Sequence, residues 1–470
     1  MDETRQPLPQ ARQSLPTRIL AEWKTLALLG GPILIAQLAQ MANGVIDTVM
    51  AGHASARDLA GVGIGSSLWM PLFLFFMGML SALQPIISGY NGARATTRIL
   101  PATWQGLYIA GAGTVIMVLL LTNVHPILAM LNLEPATAAI TQGYLNAFAW
   151  GIPAMLVMNA LRGLTDGLGH TRVIMAFSLL STLFNLPLNY IFIYGKLGLP
   201  AMGGIGCGWA TSLSNGIAAV CLLVYLNYNR TFRPFHLISG WVRPSLSGIR
   251  YILGIGLPIG FTIFVEASMF SVIALFLAPL GPIVVAGHQI ALNVVSLMFM
   301  LPLSIGMALT LRVSFLVGAG APETARLLSR SSLILAAVIA LAFANALHLL
   351  SGPIASLYTS DQAVQEVTIR LLTFAAIFQI ADVIQVTCIS ALRGYKDTRV
   401  PMVIMLFSFW GIGLPLGYSL TFTDALVPAL GAAGFWVGLT AGLTSASILL
   451  GWRLFLYRPS ADPAGPSVSA

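Results

Sequence analysis

Asp47, Glu266 and Asp382 are carboxylic acids set in stretches of sequence that otherwise read as hydrocarbon. An ionisable group at membrane depth costs about 2.5–3.5 kcal/mol on insertion scales, so three of them imply a penalty of roughly 8–10 kcal/mol. A cost of that size is kept for chemistry rather than packing. The chemistry open to a carboxyl in such a place is exchange. Desolvation favours the protonated acid, a bound cation favours the carboxylate, and one site can therefore trade a proton or Na⁺ for a cationic substrate. Na⁺ at Glu266 and Asp382 is one form this can take.

Each acid has polar company at helical spacing. Gln40, Asn43 and Asp47 lie three and four apart and share a helix face. Glu266 follows Pro258 by eight residues, with Thr262 one turn before it, which places it near the membrane midplane. Asp382 has Gln379 and Gln385 three residues to either side. Asn185 and Asn189, spaced i, i+4 around Pro187, can direct amides toward the cavity of Asp47 or bond between helices. Gln289 is a candidate for lining the second cavity, whereas His288 beside it reads as a packing residue. Among the aromatic residues, Trp69, Phe264 and Phe378 are candidates to stack on flat organic cations. Asp166 and Asp397 fall in cytoplasmic loops beside Arg and Lys, and solvated pairing is expected for both.

The elements that must carry these residues follow from composition. Of 470 residues, 57% are hydrophobic and 8% charged, and the mean hydropathy is +0.86. A soluble domain carries about 25% charged residues, so the chain is a polytopic membrane protein. Apolar runs long enough to span have cores at 26–50, 59–89, 102–123, 138–161, 172–194, 203–227, 251–279, 282–311, 327–350, 364–392, 400–421 and 430–452. With the N-terminus inside, all 23 Lys and Arg except Arg57, Lys196 and Arg370 fall on the cytoplasmic side. That bias predicts twelve spans with both termini cytoplasmic. The net charge of +8 is thus a topology signal, not a nucleic-acid footprint. No cleaved leader is evident. Cys207, Cys221 and Cys388 show no ligand or disulfide spacing.

The two halves resemble each other. Pro32 matches Pro258, Ala60-Gly61 matches Ala286-Gly287 and Phe148 matches Phe374, all at an offset of 226. Gly78-Met79 and Gly203-x-x-Gly206 recur at 228 as Gly306-Met307 and Gly431-x-x-Gly434, and Ala160-Leu161-Arg162-Gly163 recurs as Ala391-Leu392-Arg393-Gly394. Six helices per repeat restore the starting side. The fold class expected is therefore an all-α polytopic membrane protein of twelve transmembrane helices, in two six-helix bundles related by a pseudo-two-fold along the membrane normal. Two such bundles facing each other across a cleft suit alternating access. The predicted organisation is a cytoplasmic N-terminal segment (1–24), a first bundle (25–228), a cytoplasmic linker (229–250), a second bundle (251–455) and a disordered cytoplasmic tail (456–470). No phosphate-binding G-x-x-x-x-G-K-[ST] is present, which argues against direct use of ATP, and no enzymatic constellation or cofactor motif is found.

Asp47-Thr48-Val49-Met50-Ala51-Gly52 resembles the first-helix signature of the multidrug and toxic compound extrusion (MATE) family. The run from Asn189 through Lys196 to Gly203-Gly204-Ile205-Gly206-Cys207-Gly208 is similar to its NorM-like branch, as are Glu266 and the Asp382 segment upstream of Ala391 to Thr398. The resemblance covers residues 20–455. It implies a V-shaped pair of bundles that exports small amphipathic cationic drugs, such as dyes and fluoroquinolones, against Na⁺ or H⁺. It further implies a monomer in contact with membrane lipid, multi-pass in a bacterial inner membrane, needing no cofactor beyond the coupling ion and binding no nucleic acid. Acids matching Glu266 and Asp382 form the cation site of the second bundle, and the acid matching Asp47 belongs to the first, with Asn185 and Asn189 near it. Position 378 departs from the pattern: some sodium-coupled relatives carry Tyr there, and Phe378 has no oxygen to ligate Na⁺. The alternative reading is a flippase for a lipid-linked cell-envelope intermediate, which requires basic residues in the cavity. Arg312 and Arg370, near span ends, are the residues that decide it.

Overall fold

In hydrocarbon a chain must satisfy every backbone N–H and C=O internally, so apolar runs of this length become helices. The computed structural model describes residues 14–457 apart from 131, 132, 236, 238 and 425–427. The tail beyond 457 and the first 13 residues, including Arg5 and Arg12, lie outside the described residues. Among the described residues there is no strand, and each predicted run is helical. With one bent pair of helices counted as a single span, twelve spans result among the described residues: α1 (Leu15–Ala54), α2 (Ala56–Gly92), α3 (Thr96–Thr122), α4 (Pro135–Ala149 with Ile152–Gly167), α5 (Thr171–Tyr194), α6 (Gly204–Tyr228), α7 (Leu246–Leu280), α8 (Pro282–Gly318), α9 (Pro322–Tyr358), α10 (Gln362–Gly394), α11 (Arg399–Phe422) and α12 (Ala432–Leu456). α1 begins well before the apolar core that starts at residue 26.

The two parts of α4 meet at a bend of 45°. Pro153 lies just past the break and cannot donate to the turn before it. At the same place in the second repeat stands Gln379, and α10 runs unbroken. α11 differs in another way, opening into a π-helical stretch over Phe407–Gly413.

The chain divides into two compact units, one of residues Gly31–Gly260, the other joining residues up to Gly30 with those from Phe261 onward. The divisions fall inside α1 and α7, next to Pro32 and Pro258. In the first unit the opening half of α7 packs on α2 so tightly that a Cβ on Gly256 would meet the Met79 carbonyl. In the second the opening half of α1 is fixed by the Glu22–Arg312 ion pair on α8. The segment between α6 and α7 is tied to α3 in the first unit: Gln105 Nε2 donates to the Arg243 carbonyl (3.0 Å), and the Tyr108 hydroxyl donates to the Val242 carbonyl (2.7 Å).

Lipid tails are as apolar as leucine, so helices associate by close van der Waals packing rather than by a hydrophobic drive, and small residues permit it. The repeat is visible in these contacts. A Cβ on Gly61 would lie 2.5 Å from Ile140 Cγ2, and one on its counterpart Gly287 would lie 2.6 Å from Val367 Cγ1. Gly206 and Gly434 likewise press on the backbone of the preceding span, at Phe192 (2.7 Å) and Leu420 (2.6 Å). Both are set up by a glycine three residues earlier, Gly203 (φ 56°) and Gly431 (φ 62°), where a side chain would be strained.

Gly434→Ala forces its methyl onto a main chain that cannot swing aside, and is expected to destabilise the protein by about 1–3 kcal/mol. Gly216→Ala meets nothing within 4 Å and is expected to be silent. Thermal melts of both variants in detergent, followed by size-exclusion chromatography, check this. Equal melting of Gly434→Ala and the parent would mean that the α11–α12 contact is looser than described.

Candidate functional site

In the first unit Asp47 is buried at 8% exposure and is fully answered by neutral donors. Its Oδ1 accepts from Asn189 Nδ2 (2.6 Å) and Asn185 Nδ2 (3.3 Å), and its Oδ2 accepts from Thr211 Oγ1 (2.7 Å). Asn189 Nδ2 also donates to Asn185 Oδ1 at 3.0 Å. The i, i+4 spacing on α5 therefore points both amides at one carboxyl, and α6 supplies the third donor. A hydroxyl can reverse its direction while an amide N–H cannot, so Thr211 is the group able to adjust when Asp47 gains or loses a proton. Nothing in the sequence singles out Thr211, because threonine is unremarkable in a span. Cys207 adds a weak bond, Sγ to the Asp47 carbonyl at 3.6 Å.

The rest of the α1 stripe is more open. Asn43 is half-buried, and its Oδ1 has no partner among the described residues. Gln40 is exposed. Trp69 is stacked on Phe148, centroids 4.1 Å apart, and its Nε1 donates to the Tyr144 hydroxyl at 3.2 Å. One face of that indole is thus already taken.

The second unit is arranged differently. Glu266 on α7 and Asp382 on α10 lie within electrostatic range of each other, and Arg393, three turns along α10, is within range of Glu266. Asp382 is 3% exposed, while Glu266 is half-buried. Neither carboxylate takes a hydrogen bond from another described residue. Several polar side chains of the same unit are also unanswered: both amide atoms of Gln379, one turn from Asp382, both ring nitrogens of His288, the indole nitrogen of Trp436 and Ser408 Oγ lack partners among the described residues. Buried polar groups are normally bonded, so such a number calls for an explanation. Carboxylates and an amide oxygen are hard donors suited to a small cation. Among the described residues no three His, Cys, Asp or Glu side chains converge on one point, so the two acids stand as a pair.

Phe378 is buried in the apolar core, its ring 5.6 Å from Trp436 and 6.5 Å from Phe270. His288, expected to pack, stands edge-on to Trp436 at 5.9 Å. Gln289 next to it is exposed, and Phe264 is 37% exposed.

The expectation of solvated pairing for Asp166 is corrected. Asp166 is 1% exposed, and its Oδ2 accepts from Arg162 Nε (3.2 Å) and Gln84 Nε2 (3.3 Å). α4 continues to Gly167 and is packed to its end, so a residue that reads as part of a loop is enclosed. Asp397 is paired with Arg453 at 2.8 Å and is itself largely covered. Arg312 is buried deep at 1% exposure, but Glu22 grips it with two bonds of 2.7 and 2.8 Å. Arg370 is exposed. Neither is a cavity cation of the kind a carrier of anionic lipid intermediates requires.

Twelve spans in two repeats, each carrying enclosed acids on helices that also bear polar partners, define a secondary-transporter class of membrane protein. The MatE family profile matches residues 32–191 and again 258–419, once per repeat and close to the offset read from sequence. The chain is 43% identical over 431 residues to a probable multidrug resistance protein NorM of Shewanella oneidensis, covering 92% of this chain and 94% of that protein. It is 40% identical over 438 residues to the multidrug resistance protein MdtK of Yersinia enterocolitica, covering 93% and 96%. Solved structures share the fold at 19% identity. The eukaryotic MATE transporter AtDTX14 superposes with a TM-score of 0.85, covering 95% of this chain and 98% of that one. The Vibrio cholerae MATE transporter VcmN in its bent form gives 0.82, covering 93% and 97%. The chain belongs to the MatE family, and it is a transporter rather than an enzyme.

Arg312→Met leaves Glu22 charged and enclosed, and is expected to cost about 3–5 kcal/mol. Adding Glu22→Met should recover most of it, since a buried pair replaced by apolar groups is often neutral. A double-mutant cycle on thermal unfolding in detergent reads the coupling directly. Additive losses would show that the pair is solvated and weak.

Proposed function

We propose that the protein is a multidrug efflux antiporter of the bacterial inner membrane, exporting amphipathic organic cations in exchange for Na⁺ or H⁺ by alternating access, and so conferring antibiotic resistance. The observation that carries the reading is the Glu266–Asp382 pair on α7 and α10. Two carboxylates within electrostatic range in a low-dielectric setting repel strongly. With no hydrogen bonds from described residues to spread their charge, the pair is best satisfied by a proton, a small cation or the cationic part of a drug.

Coupling follows from competition. When the site opens outward, a coupling ion neutralises the acids and the drug loses its electrostatic hold. When it opens inward, loss of the ion restores the negative field and the next drug cation binds. Each ligand shifts the two states only by its difference in affinity for them. Asp47 works in parallel as the acid of the first repeat, with Thr211 able to follow its protonation. Gln379 is the neutral ligand of the second site, while Gln40, Asn43, Gln289 and Trp69 meet the drug. Phe378, which offers no oxygen, favours a site in which protonation suffices. The dense Lys and Arg of alternate loops support a topology with both termini in the cytoplasm.

Asp382→Asn and Glu266→Gln are each expected to abolish resistance to ethidium and norfloxacin, lowering the minimum inhibitory concentration to that of cells without the transporter while membrane levels are kept. Normal resistance in both variants would overturn the mechanism. In proteoliposomes, ethidium efflux should respond to an imposed pH gradient and fall by at least tenfold in either variant. Drive by a Na⁺ gradient alone would assign the pair to sodium instead.

A further inference from the structure

The second unit carries an open groove where α10 and α12 meet, and none of the enclosed acids lines it. Its volume is about 520 Å³, with Phe374 and Ile377 of α10 on one wall and Val437, Thr440, Thr444 and Ile448 of α12 on the other. Ile377 is 57% exposed and Ile448 65%, so large apolar side chains stand uncovered there. The hydroxyls of the wall do not make it polar. Thr440 Oγ1 donates to the Trp436 carbonyl (2.8 Å), Thr444 Oγ1 to the Thr440 carbonyl (2.7 Å) and Ser445 Oγ to the Gly442 carbonyl (2.7 Å). Each proton is thus taken up inside α12, and what the groove offers an occupant is mainly hydrocarbon. From Val437 to Ile448 the wall runs about 16 Å along the helix axis. That is close to half of the roughly 30 Å of a bilayer's hydrocarbon core. A groove of this length matches the depth of one leaflet, which an acyl chain fills.

A pair of opposite charges stands beyond its outer end. Arg370 and Glu366 lie four and eight residues before Phe374, along one side of α10. Both are exposed, and neither has a hydrogen bond or ion pair among the described residues, not even with the other. The other two cations that the sequence places on this side of the membrane are answered. Arg57 pairs with Glu134 at 2.8 Å, and Lys196 lies 5.8 Å over the Tyr190 ring. Arg370 therefore sets a free positive charge next to the groove. Glu366 sets a negative one about 6 Å further toward the start of α10 at Gln362.

We propose that the groove binds one molecule of phosphatidylethanolamine, with an acyl chain between α10 and α12, the phosphate on Arg370 and the ammonium on Glu366. The order along the helix is the order along the lipid: apolar chain, then phosphate, then ammonium outermost. The guanidinium fork suits a phosphate, and its long stem lets the charge reach headgroup level while its methylenes stay in hydrocarbon. A choline headgroup has no N–H to donate to Glu366, and a glycerol headgroup brings no positive charge to it. An amphipathic drug cation would be repelled by Arg370. The site is separate from the Glu266–Asp382 pair, and its occupancy does not depend on which ion drives exchange.

Native mass spectrometry of the purified full-length protein, titrated with dioleoyl lipids that differ only in headgroup, reads this directly. Phosphatidylethanolamine is expected to bind about fivefold more tightly than phosphatidylcholine or phosphatidylglycerol, the effect of roughly one charge contact at a membrane surface. Glu366→Gln should remove that preference, whereas Arg370→Gln should weaken all three lipids. Thr444→Phe fills the groove and should also weaken all three; should it fail size exclusion, Ile448→Trp takes its place. Lys196→Gln is expected to change nothing, and a loss there as large as in Arg370→Gln would reduce the effect to general surface charge and overturn the site. Equal affinities in the parent protein, or a preference that survives Glu366→Gln, overturn the headgroup assignment. Lipid binding unmoved by the groove-filling variant overturns the groove. A dimer of the parent that excludes lipid would give this face to a second copy and overturn the proposal as well.

Discussion

A charge or dipole placed in hydrocarbon must be answered inside the protein, because no water is there to answer it. The arrangement of this chain follows from how each enclosed polar group meets that demand. Where the demand is met, the result is structural. Glu22 and Arg312 neutralise each other with two short bonds and fix the first half of α1. Arg162, Asp166, Gln84 and Gln37 do so in part for α4, α2 and α1 in the first unit, with Arg162 Nη2 and Asp166 Oδ1 left unanswered among the described residues. Where it is met by movable neutral donors, as at Asp47, a proton can come and go without stranding a charge. Where it is not met by described residues, as at Glu266, Asp382 and Gln379, the groups are those to which the proposed function assigns a ligand. These three conditions are physically distinct, and a single count of buried acids does not separate them.

Helix packing obeys the same restriction from the apolar side. Without a hydrophobic drive between spans, contact depends on how closely backbones approach. That is why the repeat survives best in glycines. Gly61 and Gly287, or Gly206 and Gly434, occupy the same places and press on the same kinds of neighbour. The acids follow no such rule. Asp47 has no acidic counterpart at the matching place in α7, and Glu266 has none in α1. The repeats share a scaffold and differ in the chemistry built on it, so each bundle can answer a different ligand.

Much of this was legible in the sequence because it depends on local composition. Length and hydropathy define the spans, glycine and proline at a constant offset define the repeat, and an acid in an apolar run is conspicuous wherever it falls. Asn185 and Asn189 were readable as a pair because i, i+4 spacing fixes a common face. What escaped reading depends on distance along the chain. Thr211 is 164 residues from Asp47, and Glu22 is 290 from Arg312. Nothing in a threonine or a glutamate near a terminus announces such a partner. Asp166 misleads for a related reason. A glycine-rich stretch beside basic residues looks solvated in one dimension, yet helices that extend past the apolar core can still pack against one another and enclose what they carry.

The contrast between the two bundles also bears on how a transporter of this kind avoids leaking ions. A site already satisfied by protein donors changes its protonation with little rearrangement, since the amides of Asn185 and Asn189 stay where they are and only the Thr211 hydroxyl turns. A site lacking such donors cannot relax in that way. As the proposed ion site, Glu266 and Asp382 hold a ligand, and releasing it without a replacement leaves two repelling charges and an orphaned amide in a poor solvent. That penalty makes the empty, ionised state unfavourable, and on the proposed mechanism it ties departure of the ion to arrival of the drug. On the proposed mechanism the unanswered groups at Glu266, Asp382 and Gln379 enforce exchange, and supplying them with permanent partners would stabilise the fold at the expense of coupling.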